Sequence, residues 1–79
     1  MARILVIDDE APIRQNLVRF LALEGHQVLQ AIDGLLGLEA IRTHKPDFIL
    51  CDVMMPHLDG FEVLAATQSD PALRGIPFV

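Results

Sequence analysis

Asp8, Asp9 and Asp52 are the residues of this sequence best placed to do chemistry. Asp8 and Asp9 close one apolar run, Arg3-Ile4-Leu5-Val6-Ile7, and Asp52 closes another, Phe48-Ile49-Leu50-Cys51. Continuous apolar runs rich in β-branched residues are the pattern of strands buried on both faces of a parallel sheet. In open α/β sheets, ligands bind outside the carboxyl ends of such strands, where the strand order reverses. With the two strands as neighbours, the three carboxylates share one small pocket. Like charges that close raise each other's pKa unless something positive sits between them. A hard divalent cation suits the arrangement, since Mg2+ takes one or two carboxylates, keeps several waters and leaves room for a phosphate oxygen. Taken alone, Asp8-Asp9 reads equally well as the cap of the next helix, with Asp9 or Glu10 as the capping residue. The third carboxylate on a second strand makes the cluster the more specific reading.

The elements that must position these groups follow in order. Arg3–Ile7 is the first strand. Pro12 is tolerated in a first helical turn, because the amide it lacks has no intrahelical partner. Ile13, Leu17, Phe20, Leu21 and Glu24 recur at helical spacing, with Arg14, Gln15 and Arg19 facing elsewhere and Gly25 as the stop. Residues 26–32 form a second, less apolar strand suited to an edge. Asp33-Gly34 opens a helix to about His44, with Leu38 and Ile41 inward, and Lys45-Pro46 ends it. Residues 47–52 are the third strand. Asp59-Gly60-Phe61-Glu62 has the form of a capping box at the head of a helix running to about Gln68. Asp70-Pro71 with Gly75 reads as one short helical turn, and Ile76-Pro77-Phe78-Val79 as the start of a fourth strand. The β-α-β-α-β-α-β alternation implies a parallel sheet with right-handed crossovers, ordered 2-1-3-4.

Composition removes several function classes. Seventy-nine residues make at most one small domain, burying roughly 60–65% of its unfolded surface. Apolar residues are 52% of the chain, slightly above the usual range, which points to some apolar surface covered by a partner or by further chain. The net charge of −5 with no basic run argues against nucleic acid and anionic membrane as partners. No run approaches the ~20 apolar residues of a membrane span, and no signal peptide precedes the first strand. A single cysteine, Cys51, allows no internal disulfide and suits a cytoplasmic protein. Cys51 reads as a buried inert thiol. His26, His44 and His57 match no zinc spacing.

Three stretches together resemble the receiver domain of two-component response regulators: Ile4-Leu5-Val6-Ile7-Asp8-Asp9-Glu10, Pro46-Asp47-Phe48-Ile49-Leu50-Cys51-Asp52, and Met55-Pro56-His57-Leu58-Asp59-Gly60-Phe61-Glu62. Asp70-Pro71 and Ile76-Pro77 extend the likeness over the whole chain in order. The resemblance implies a flavodoxin-like doubly wound sheet and a phosphoacceptor rather than an enzyme. It makes Asp52 the nucleophile that takes a phosphoryl group from a phosphohistidine of a sensor histidine kinase. It also makes Asp9, Asp52 and the backbone carbonyl of Met54 ligands of Mg2+, with Asp8 acting through a water. Pro56 and Gly60 then shape a loop whose amides face the phosphoryl oxygens.

Two residues of the family pattern have no counterpart: a Ser or Thr ending strand four and a Lys ending strand five. Thr43 and Thr67 fall in helices. Lys45 is the only lysine, and at ~3.3 Å per residue it lies roughly 23 Å from Asp52, at the other end of the sheet. Residues 1–79 are therefore expected to be an incomplete receiver domain, cut after the start of strand four, with slow or absent phosphorylation. Strand four becomes an edge. One sheet face keeps only the first helix and exposes apolar surface of strands one and three. A homo-oligomer formed through these surfaces is expected. Gly37, inside the second helix, is expected to cost about 1 kcal/mol relative to Ala, with Leu36 exposed beside it. The alternative function is a non-phosphorylated, self-associating interaction module on the same half-fold; a metal-dependent phosphatase is disfavoured, since no second strand-end acid or base closely follows Asp52.

Overall fold

In the computed structural model all 79 residues are described. The elements are β1 (Arg3–Ile7), α1 (Ala11–Leu23), β2 (Gln27–Ala31), α2 (Gly34–His44), β3 (Phe48–Cys51) and α3 (Gly60–Gln68). The strands form one parallel sheet in the order β2-β1-β3. Residues 77–79 lie along the outer side of β3, where Phe78 bridges Ile49 in parallel. The amides of Ile49 and Cys51 donate to the carbonyls of Pro77 and Val79, at 2.9 and 3.2 Å. The 2-1-3-4 order is thus present, its last member reduced to one bridge. The Asp70–Gly75 segment is a hydrogen-bonded turn in which Arg74 N–H reaches the Asp70 carbonyl.

Side chains alternate across the strands, so one face of β1 carries Leu5 and Ile7 and the other Ile4 and Val6. Leu5, Ile7 and Ile49 pack with Ile41 of α2, Val63 of α3, and with Met55 and Leu73 in the main core. The other face carries α1. Apolar surface of β1 does not stay exposed there, contrary to expectation: Ile4 is 6% and Val6 1% exposed. The opening falls at β3 instead, where Val6, Leu17, Leu50, Cys51 and Val79 line a cleft of about 210 Å3 that reaches Asp8 and Asp52.

Helix ends follow the sequence signals. The Asp33 carboxylate accepts the Leu36 amide at 2.8 Å, and Lys45 closes α2 in the left-handed region at φ 44°. The Asp59–Glu62 capping box is complete, at 2.8 and 3.0 Å. Glu10 occupies the N-cap of α1 but makes no side-chain cap bond, so neither Asp9 nor Glu10 caps this helix through its carboxylate.

The orientation of α1 differs from the expected one. The stripe against the sheet begins at Arg14 and continues through Leu17, Val18 and Leu21, while Ile13 and Phe20 are 47% and 58% exposed. Leu17 and Leu21 belong to both readings, so a roll of less than one residue's 100° separates them. Gly37 also has a reason that propensity does not supply. A Cβ there would lie 2.5 Å from Ile7 Cδ1 and 2.9 Å from Cγ1, so α2 packs on β1 at a distance where a methyl group fits only if the Ile7 side chain moves. Leu36 is 45% exposed, as expected.

Candidate metal centre

Backbone pairing brings the carboxylates together. Ile7 is the register partner of Cys51, and the Asp52 amide donates to the Ile7 carbonyl at 2.9 Å. Asp8 and Asp52 are therefore side by side just past the ends of adjacent strands. One carboxylate oxygen from each of Asp8, Asp9 and Asp52 lies within 4.8 Å of the others. Asp8 is buried, Asp52 half-buried and Asp9 exposed, so the cluster opens to solvent on one side. Asp8 Oδ1 accepts the Glu10 amide at 2.9 Å. No donor of the chain reaches the carboxylates of Asp9 or Asp52, which leaves most of their lone pairs free.

An all-oxygen donor set of three carboxylates fits a hard divalent cation and disfavours the softer metals that take thiolate or imidazole. Cys51, next to Asp52, does not change this. Burial first, then the charges of Asp52, Asp8 and Asp59, push its thiol from 9.0 up to about 11, so it stays protonated near neutral pH.

The loop after Asp52 leaves its backbone unspent. The amides of Val53, Met54 and Met55 donate to no group of the chain, and the Met54 carbonyl accepts from none. Val53 and Met54 are exposed, so these backbone groups face solvent and are open to an external partner. The loop is held by a tight turn in which the Leu58 amide reaches the Pro56 carbonyl at 2.9 Å with His57 at φ 71°. A non-glycine residue at positive φ is uncommon and costs energy. The chain then returns, the Gly60 amide donating to the Val53 carbonyl at 2.9 Å. Gly60 is required here because a Cβ would run into the Asp52 carbonyl and lie 2.9 Å from Val53 Cα.

Lys45 is not part of this site. It lines a pocket with Met1, Arg3, Gln27 and Asp47 at the opposite end of the strands. His57 lies in the loop, and His26 and His44 lie away from the cluster, His26 Nδ1 accepting the Ala2 amide at 3.1 Å. The residue that the sequence reading missed is Arg14, assigned outward but buried against Asp8. The available signal was its place three, four and seven residues before Leu17, Val18 and Leu21.

The response regulator receiver domain family matches residues 4–78. The chain belongs to this family. The N-terminal domain of a response regulator receiver protein from Methanoculleus marisnigri superposes with a TM-score of 0.95 at 38% identity, over 99% of this chain and 63% of that one. The Vibrio cholerae chemotaxis protein CheY4 gives 0.93 at 33% identity, over 99% and 65%. Protein PilH of Pseudomonas aeruginosa is 39% identical over all of this chain and 65% of its own length. The response regulator MprA of Mycobacterium ulcerans is 46% identical over 67 residues, 85% of this chain and 29% of MprA. The chain thus spans less than two thirds of the length of these relatives. The receiver chain has no helix long and apolar enough to cross a membrane.

Proposed function

We propose that this receiver chain accepts a phosphoryl group on Asp52 in histidine-to-aspartate signalling, with Mg2+ held by Asp9, Asp52 and the Met54 carbonyl and with Asp8 acting through a water. One observation carries the reading: three carboxylates converge within 4.8 Å at the strand ends of a receiver-family chain. In the transfer, an Asp52 oxygen attacks the phosphorus of a phosphohistidine on a sensor histidine kinase. The P–N bond breaks, the imidazole leaves, and an acyl phosphate forms. A bound Mg2+ supplies neutralisation of the phosphoryl and carboxylate charge. The chain contributes the fixed nucleophile, the idle amides of Val53, Met54 and Met55 as donors to the phosphoryl oxygens, and a cleft open enough to admit the donor. Because Lys45 lies at the far end of the sheet, no ammonium group of these 79 residues reaches the phosphoryl oxygens, and transfer within this chain is slow.

Acetyl phosphate with Mg2+, followed by intact mass over time, tests this. The expected result is slow gain of one phosphoryl mass, absent in Asp52→Asn and absent with chelator. Labelling that persists in Asp52→Asn would overturn the assignment. Rapid stoichiometric labelling confined to Asp52 would retain the site and overturn the slow step. Residues 1–79 are proposed to form the N-terminal portion of a receiver domain, working in the cytoplasm.

A second reading rests on a separate observation. Met54 and Phe61 are 80% and 67% exposed, and Val53, Phe61, Leu64, Phe78 and Val79 line an apolar cleft beside residues 77–79 at the outer side of β3. Exposed apolar surface next to an unpaired edge favours association of a second copy. Under this reading the half-fold is a non-phosphorylated assembly module. Concentration-dependent dimer in sedimentation, unaffected by Asp52→Asn, supports it; a monomer at tens of micromolar excludes it.

A further inference from the structure

Arg14 is a buried cation with no carboxylate among its hydrogen-bond partners. It is 9% exposed; its Nη1 donates to the Asp8 carbonyl at 2.9 Å, and its Nε to Gln30 Oε1 at 3.0 Å. Burying a charge is costly even after relaxation, and two neutral acceptors return less than an ion pair does. Its neighbours on the same stripe of α1 are Leu17, Val18 and Leu21, so an aliphatic side chain would suit packing there. Packing does not explain a guanidinium.

What it touches does. The Asp8 amide donates to the Ala31 carbonyl at 3.2 Å, the Asp8 carboxylate accepts the Glu10 amide, and the Asp8 carbonyl is held by Arg14. The peptide group is planar, so holding the Asp8 carbonyl also fixes the Asp9 amide and the direction in which Asp9 leaves the strand. The guanidinium is a rigid fork, and its second tine is anchored on β2 through Gln30. We propose that Arg14 is a positioning residue, braced by Gln30, that sets the Asp8–Asp9 peptide so that both carboxylates converge with Asp52 in a cation-competent geometry. This deepens, and rests on, the divalent-cation reading of the cluster.

Two variants separate geometry from charge. Arg14→Lys keeps the positive charge but loses the fork. Gln30→Leu keeps Arg14 and removes its brace at an exposed position of β2. The probe is Mn2+ titrated into the chelator-stripped 79-residue chain and followed by electron paramagnetic resonance, alongside thermal unfolding in chelator. Arg14→Lys is expected to weaken Mn2+ binding on the order of tenfold, the usual effect of losing an outer-shell partner, and Gln30→Leu by a smaller factor. The unfolding midpoint of Gln30→Leu in chelator is expected to stay close to that of the unaltered chain. Lowered midpoints with unchanged Mn2+ affinity of the folded molecules would make Arg14 merely structural and overturn the proposal. Binding that is lost in Asp9→Asn but unchanged in both Arg14→Lys and Gln30→Leu overturns it alone. An unaltered chain that binds no Mn2+ overturns it together with the cation reading beneath it.

Discussion

The two ends of the sheet are both rich in polar side chains, yet they use them in opposite ways. At the end where the strands begin, the groups satisfy one another. The Arg3 amide donates to Asp47 Oδ2 at 2.8 Å, the Arg3 guanidinium reaches Gln27 Oε1 and the His44 carbonyl, and the Ala2 amide donates to His26. At the end where the strands finish, three carboxylates crowd together, two of them without a donor, beside a loop whose amides are idle. The first arrangement holds the fold together. The second leaves carboxylates and amides with no partner in the chain and open to solvent on one side. Unspent polar capacity, rather than polarity as such, distinguishes the site from the structure that supports it.

That contrast can be broken at several points. The largest effect on stability is expected from Gly60→Ala, which forces a methyl group against the Asp52 carbonyl and Val53. A loss of about 1–3 kcal/mol, measured by urea unfolding, should accompany a displaced loop. Asp47→Ala removes the acceptor of the Arg3 amide at the satisfied end. It should cost about 1 kcal/mol in the same assay and leave cation binding intact. Asp9→Asn has the opposite sign. With one of three like charges gone, the cation-free chain should be unchanged or slightly more stable, by under about 0.5 kcal/mol, while the stabilisation by added Mg2+ disappears. If Asp9→Asn instead destabilises the cation-free chain as Asp47→Ala does, the two ends are alike and the contrast fails.

The smallest effect concerns Cys51. Its folded-state pKa is raised from 9.0 to about 11, first by burial and then by the neighbouring carboxylates. The folded chain therefore keeps a proton that the unfolded chain loses between those values. The stability that depends on this proton is fully present below pH 9 and declines as pH rises through 11. Alkylation of Cys51 by iodoacetamide should be slow at pH 8 compared with a free thiol, and faster with Mg2+ present, because a cation offsets the carboxylate charges. An alkylation rate equal to that of a model thiol at pH 8 would contradict the raised value.

Much of this was legible in the residues. The two apolar runs ending in aspartate, the Gly60 loop with its capping box, and the alternation of elements each rest on local rules, and each appears in the structure. The position of Lys45 was legible too, because distance along a strand follows from residue count. What was not legible depends on contacts between distant segments. The roll of α1 turned on whether Ile13 or Arg14 opened the inward stripe, and hydropathy favoured Ile13. Arg14 faces inward because the Asp8 carbonyl and Gln30 receive its donors, and neither acceptor is visible from the helix sequence. Gly37 read as a weak point in a helix because Ile7, thirty residues earlier, is what a methyl group there would displace. The burial of Ile4 and Val6 beneath α1 alone depended on the same docking.

The central claim is that the strand-end carboxylates are a divalent-cation site, and calorimetric titration of Mg2+ into the chelator-stripped chain tests it most directly. One saturable site is expected, lost in Asp9→Asn and in Asp52→Asn and kept in Asp47→Asn. Absence of saturable binding, or binding that survives both substitutions at the strand ends, would contradict it.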